Sequence, residues 1–311
     1  MNLRLPNAGA VPATVLICSR DRPALLLDTV RSVLEGTELP NEVLVVDQSV
    51  VENTELAGMG HVRGCDVRYL HTVATGLSRA RNIGLRAASR DVVVMLDDDI
   101  LVEKDWFASL LRGLPAGPHG VATGRVLAAP PEGDGVAVPP AALVTREVPA
   151  VYRGPQDLDV VPGANVALRR QLVLDLGGYD ERLGAGTRFS AADDNDMGHR
   201  LLLAGCEVRH VPDAVVLHRA WRPSHELVRL RWQYGRGKGA FYAKHIGLGD
   251  RHVRRRAAAE VGGRLRRAVA AAIRSPRTTV AELLSLSGML SGALGWVVRE
   301  RIPERLRRTD C

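Results

Sequence analysis

Residues 92–100 read VVVMLDDDI. The five apolar residues Val92 to Leu96 have the length and β-branched character of a strand buried on both faces, the kind found in parallel sheets. Asp97, Asp98 and Asp99 follow at once, with no basic residue inside the run. Adjacent carboxylates resist joint ionisation, so a chain that puts three of them at the mouth of its core needs a cation or a proton there. On an extended backbone alternate side chains face opposite ways, which puts Asp97 and Asp99 on one side and Asp98 on the other. Two oxygen donors on a rigid strand end suit Mg²⁺ or Mn²⁺, hard ions that keep positions open for substrate phosphates. The plain alternative is a solvated acidic turn.

The residues before this run alternate between strand and helix patterns. Val15–Cys18, 41–47 (NEVLVVD) and 66–72 (DVRYLHT) read as strands, and VVVML is the fourth. Pro23 suits a first helical turn, with Leu26, Val30, Val33 and Leu34 as its apolar stripe. Residues 76–89 (GLSRARNIGLRAAS) read as a second helix. Such alternation implies an α/β chain with a mostly parallel sheet and right-handed crossovers, and such sheets bind ligands at the carboxyl ends of their strands. Ser19–Arg22, Asp47 and Asp97–Asp99 all fall at those ends.

The middle of the chain is less regular. Residues 127–140 form a Pro/Gly-rich loop, and 163–170 (GANVALRR) open a new segment. Residues 192–205 (ADDNDMGHRLLLAG) read as a helix with an acidic start and Gly205 as its stop. CEVRHVP and AVVLH read as two short strands. The cysteines, Cys18, Cys65, Cys206 and Cys311, form no C-x-x-C pair, so they read as reduced thiols in a cytoplasmic protein rather than a zinc site or disulfide framework. The amino terminus lacks a signal-peptide pattern. A formal net charge of +7 over 311 residues favours an anionic partner. Nucleic acid would account for that charge, but not for the carboxylate cluster.

Taken in order, TVLICSRDRP, LVVDQS, GLSRARNIG, VVVMLDDDI, GANVALRR, LGGYDERLG, DDNDMGHRLLLAG and VVLH resemble the family 2 glycosyltransferases, from about Thr14 to His218. The resemblance implies a GT-A fold: a Rossmann-like, mostly parallel central sheet flanked by helices, here with a C-terminal helical extension. It implies a catalytic, nucleotide-sugar-binding domain over 1–220 and a basic helical region over 221–311. It gives Asp47 a hydrogen bond from the nucleobase, places Asp97 near the ribose, Asp99 on a divalent metal, and His218 on the same ion. By itself, a histidine closing a strand is also consistent with a capped strand end. Asp98 joins the donor-binding set with Ser19, Arg20 and Arg81. Arg20 is expected to stack on a base, and Arg81 to contact donor or else to be a solvated helix residue. Gly163 and Asn165 are expected to let backbone approach the sugar, though Gly163 is also consistent with a simple turn.

The resemblance assigns the catalytic base to DDND, and Asp194 is the position that matches. A carboxylate in a first helical turn lies near the positive end of the helix dipole, which favours the ionised form a base requires. Asp193 and Asp196 are the alternatives, and all three also suit helix capping. The implied reaction is inverting and metal-dependent: a sugar moves from a nucleotide-diphosphate sugar to an acceptor hydroxyl on a glycan, a lipid-linked molecule or a small molecule. Two other readings share the fold, a sugar nucleotidyltransferase and a non-catalytic nucleotide- or polymer-binding protein. The first is disfavoured because SRDRP has no glycine, the second because Asp97 and Asp99 are accompanied by a separate Asp194.

Beyond Trp221 the chain is basic and helical. Residues 251–267 are strongly cationic, and 282–298 carry Leu283, Leu286, Leu290, Ala293 and Val297 on one stripe. The uncharged run falls short of the roughly 20 residues that span a bilayer. These segments suit peripheral contact with an anionic membrane on its inner face. Helix packing or a dimer contact would use the same pattern.

Overall fold

The structure is a computed structural model, and it describes residues 12–132, 137–138, 143–219, 222–223, 226–273 and 275–301. Part of the 127–140 loop, the 220/221 boundary, Cys311 and the amino-terminal residues 1–11 lie outside the described residues. In chain order the elements are β1 (Ala13–Ser19), α1 (Pro23–Leu34), β2 (Glu42–Asp47), α2 (Thr54–Ala57), β3 (His61–Val62), β4 (Cys65–His71), α3 (Leu77–Ala87), β5 (Val92–Asp97), β6 (Ile100–Val102), α4 (Trp106–Gly113) and β7 (Gly120–Ala128). They continue with β8 (Ala137–Val138), β9 (Ala150–Tyr152), β10 (Val166–Arg169), α5 (Arg170–Asp175), α6 (Asp193–Leu203), β11 (Glu207–His218), β12 (Arg222–Pro223), α7 (Leu227–Gly247), α8 (Arg251–Ala271) and α9 (Pro276–Arg301).

Two compact units are formed. The first takes the described parts of Met1–Asp134, Val138–Tyr179 and Met197–Trp221, and the second those of Gly135–Ala137, Asp180–Asp196 and Arg222–Cys311. The division is therefore not a single cut near residue 220, because 180–196 groups with the C-terminal helices.

The first unit is built on a sheet in the order β3-β4-β2-β1-β5-β10-β7-β11-β6, with β9 also on β11. Strands β4, β2, β1 and β5 run parallel, as do β7 and β11, and β10 joins the two sets by pairing antiparallel with β5 and β7. The centre is apolar on both sides: Val15, Ile17, Val43, Val45, Val92 and Val94 pack on one face with α1 and α4, while Leu16, Leu44, Val46, Val93 and Met95 pack on the other with α3 and α5. This two-sided burial explains the uninterrupted apolar runs. Pro23 sits in the first turn of α1, and Leu26, Val30, Val33 and Leu34 are its buried stripe.

The two short strands expected over CEVRHVP and AVVLH are one strand, β11, whose register against β7 slips between Val211 and Val215. Pro212 has no N–H to offer a ladder, and the extra residues bulge out. Asn165 holds the bulge: its Nδ2 donates to the Arg125 and Ala214 carbonyls at 2.8 and 2.9 Å, and its Oδ1 accepts from Trp106 Nε1 at 2.7 Å. Asn165 is fully buried and its side chain secures the sheet.

The second unit packs α7, α8, α9 and the 180–196 segment. Phe189 lies against Trp296 with ring centroids 5.6 Å apart, and Ala192, Phe241, Tyr242, Val253 and Met289 form a second small core. Lys244 on α7 ties this segment at two points, to Asp180 at 2.7 Å and to Asp196 at 2.6 Å.

Candidate active site

Parallel pairing fixes which residues share the carboxyl edge of the sheet. Ser19 lies beside Asp47 and Asp47 beside His71, while Cys18 is level with Asp97. At the other end of the sheet β11 runs antiparallel to β6 with His218 opposite Ile100. That register brings the imidazole next to Asp99, and His218 Nε2 lies 3.0 Å from Asp99 Oδ1.

The repulsion within the acidic run is met by partners that arrive from four places in the sequence. Asp97 accepts from the Arg81 guanidinium at 3.2 Å, and the same guanidinium donates to the Gly163 carbonyl at 2.8 Å. Arg81 is buried, not a solvated helix residue, and stacks over the Tyr179 ring 5.2 Å from its centroid. Asp98 turns away into the protein, where Ser19 Oγ donates to it at 2.7 Å and Arg22 at 3.0 Å. The same Arg22 nitrogen donates to Asp99 at 3.0 Å. Burial pushes the Asp98 carboxyl up to about 6, with Asp99 and Asp97 adding to the rise and Arg22 and Ser19 opposing it. Burial also acts against the Arg22 charge, but Asp98 and Asp99 outweigh it and hold the guanidinium above its ordinary value.

The extended backbone stops at Asp97, and Asp98 and Asp99 form a turn. Even so, Asp97, Asp99 and His218 offer one ligand atom each, all within 4.8 Å of one another. Ligands of one octahedral ion with bonds near 2.1 Å sit about 3 Å apart, so small side-chain adjustments suffice to enclose it. Two carboxylate oxygens are the hard ligands that divalent ions such as Mg²⁺ and Mn²⁺ take, and an imidazole can join them. The donor set therefore fits a divalent metal.

Asp47 is buried at the end of β2. Its Oδ1 accepts from the Ser49 N–H at 2.9 Å and its Oδ2 from the Tyr69 hydroxyl at 2.6 Å. Burial and the Asp47 carboxylate together raise the Tyr69 hydroxyl well above its usual range. A carboxylate has about four lone-pair sites, so these bonds leave room for another donor.

Arg20 is exposed and pairs with Asp21 at 3.4 Å. Within this loop the guanidinium that reaches Asp98 and Asp99 is that of Arg22, a residue the sequence pattern does not single out. Its position immediately before Pro23, between β1 and the first turn of α1, was the available signal. The Asp47 partner Tyr69 was missed as well.

In the second unit the acids of α6 have distinct surroundings. Asp196 is fully buried, with Lys244 Nζ at 2.6 Å and His245 Nε2 at 2.9 Å. Asp193 is also buried. Asp194 is half-buried in the first turn and accepts from the Asn195 N–H at 2.8 Å. Burial alone would raise Asp180, yet Arg182 and Lys244 hold its carboxyl far below the ordinary carboxylate range.

A parallel sheet with acids gathered on its carboxyl edge defines an α/β ligand-binding domain, and comparison with known proteins gives the class. The family described as Glycosyl transferase family 2 matches residues 14–176. That is slightly over half of the chain, and the chain belongs to this family. It is 28% identical over 213 residues to the pre-mycofactocin glycosyltransferase of Mycobacterium tuberculosis, an alignment covering 65% of this chain and 43% of that protein. The chain thus spans less than half of that relative's length. It is 26% identical over 232 residues to the glucosyl-dolichyl phosphate glucuronosyltransferase of Haloferax volcanii, covering 71% of each. Among solved structures it is similar to a mannosyltransferase from Pyrobaculum calidifontis in complex with GDP-Man and Mn²⁺, with a TM-score of 0.60 at 17% identity, covering 93% of this chain and 91% of that one. The fold is GT-A, with a C-terminal helical region.

Proposed function

We propose that the chain is an inverting, metal-dependent glycosyltransferase that moves a sugar from a nucleotide-diphosphate sugar to an acceptor hydroxyl. The observation that carries this is the convergence of Asp97, Asp99 and His218 from the ends of β5 and β11. Family membership supports the reaction class, and the Mn²⁺ and GDP-Man in the mannosyltransferase structure support the metal and the donor class.

Asp97, Asp99 and His218 are the residues to hold Mn²⁺ or Mg²⁺, and the ion when bound supplies Lewis acidity towards the departing diphosphate. Arg81 and Arg22 keep Asp97 and Asp99 in place, and Ser19 keeps Asp98 in place behind them. Asp47, oriented by Ser49 and Tyr69, accepts a hydrogen bond from the nucleobase. Asp194, in the first turn of α6, takes the proton from the acceptor hydroxyl. The acceptor oxygen bonds to the anomeric carbon as the bond to the diphosphate breaks, and a single displacement inverts the centre. Three buried, free thiols, Cys18, Cys65 and Cys206, support a reducing, cytoplasmic location.

The test is release of nucleoside diphosphate from a panel of UDP- and GDP-sugars, with Mn²⁺ and with chelator, followed by NMR of the new linkage. Metal-dependent release with an inverted linkage is expected. Chelator-resistant turnover or a retained configuration contradicts the proposal, and pyrophosphate release from a nucleoside triphosphate and a sugar-1-phosphate points to a nucleotidyltransferase.

A further inference from the structure

Helix α9 packs glycines against α7 and leaves a stripe of aliphatic side chains exposed. Towards α7, Gly288 and Gly292 lie against the backbone of Trp232 and Arg236, and Gly235 and Gly239 against that of Ser285 and Met289. A Cβ at Gly239 would overlap the Met289 carbonyl, and one at Gly292 the Arg236 carbonyl. Two G-x-x-x-G pairs thus bring the helices together backbone to backbone. On the outer side Val280, Leu283, Leu290, Leu294 and Val297 are 52%, 50%, 63%, 58% and 40% exposed. Their spacing by three, four and seven residues makes a single stripe. Close backbone packing on one side with an exposed aliphatic stripe on the other suits a helix that lies beside an apolar surround.

Helix α8 adds charge of one sign. Its sequence RHVRRRAAAEVGGRLRRAVAA holds seven arginines against one glutamate. Arg254, Arg255 and Arg266 are exposed, and on the same helix and just beyond it Leu265, Val269 and Ile273 are 48%, 76% and 95% exposed. Cationic and apolar groups together on a solvent-facing helix match an anionic lipid surface. They do not match a second copy of this chain, whose α8 would bring the same positive charge.

By length and composition Pro276–Arg299 would suffice to cross a bilayer, more than the shorter uncharged run in the sequence suggested. Its inner face, however, is fixed to α7, which carries Arg229, Arg231, Arg236, Lys238 and Lys244. Drawing that helix into hydrocarbon with α9 is prohibitively costly. We propose that the α8–α9 surface lies on an anionic phospholipid bilayer, with Leu283, Leu290 and Leu294 entering the acyl boundary and Arg254, Arg255 and Arg266 meeting phosphates. This docking stands whatever sugar the chain transfers.

The test is co-sedimentation of the full chain with vesicles of phosphatidylcholine alone or mixed with phosphatidylglycerol. Binding to the mixed vesicles only, weakened by salt, is expected. Leu290→Glu with Leu294→Glu alters exposed positions, so its melting temperature should stay at the wild-type value while binding is lost. Replacing Arg254, Arg255 and Arg266 together by Ala should weaken binding about 10²-fold, which gives an independent readout should the glutamate variant misfold. Wild-type protein left in the supernatant with mixed vesicles overturns the proposal. So does a folded glutamate variant that binds like wild type, or a wild-type dimer in light scattering that the variant splits without any vesicle binding.

Discussion

The acids at the end of β5 and the acids of the 180–196 segment are alike in composition and are held in opposite ways. Asp97, Asp98 and Asp99 draw their partners from distant strand and helix ends, namely Ser19, Arg22, Arg81 and His218. Asp180 and Asp196 draw theirs from nearby Arg182 and from Lys244 and His245 on one helix. In the first set, two carboxylates and an imidazole converge within 4.8 Å, a geometry that accepts an added cation. In the second, Lys244 reaches both Asp180 and Asp196, and what results is a fixed chain segment. Both sets carry arginine or lysine partners, so what separates a candidate metal site from a clamp is whether the ligand atoms converge on one point.

The sharpest break between the two sets is expected in activity. Asp99→Asn should lower transfer by several kcal/mol of transition-state stabilisation, about 10³–10⁴-fold, in a steady-state assay with saturating donor. Asp194→Asn should lower kcat by about 10²–10⁴-fold as a lost general base, while donor affinity in a calorimetric titration stays within about twofold. If Asp194→Asn instead weakens donor binding and spares kcat, Asp194 belongs with the donor-site acids and the contrast fails.

Stability should show the reverse order. Lys244→Met leaves Asp180 and Asp196 short of a cation in a buried place and is expected to cost about 3–5 kcal/mol in urea unfolding. The smallest effect is one of pH. The Asp180 carboxyl titrates below its unfolded value of 3.8, so its contribution to stability is complete above that value and is lost as pH falls through the folded one. Melting temperatures measured from neutral pH down to about pH 3 should fall less steeply for Asp180→Asn than for wild type. Equal slopes would show that Asp180 is no clamp.

What the sequence made legible was local. Val92–Leu96 and 41–47 announce strands buried on both faces, and Pro23 with Leu26 and Val30 announces α1, because period and length are written in the neighbouring residues. The gathering of polar residues at the carboxyl edge followed from parallel strands alone. What stayed hidden depends on pairing across long separations. The antiparallel β10 between β5 and β7 has no local mark. The joining of two apparent strands into β11 rests on Asn165, some 46 positions before Val211. Arg22 and Arg20 differ by two positions in a loop, and only the folded backbone decides which of them reaches Asp98.

The central claim is that Asp97, Asp99 and His218 hold a divalent cation. Electron paramagnetic resonance of Mn²⁺ titrated with the protein in the presence of a nucleoside diphosphate measures this directly, since bound ion loses the free-ion signal. The account predicts near-complete loss with wild-type protein and a persistent free-ion signal with Asp99→Asn. Equal loss with both proteins would place the ion elsewhere and contradict it.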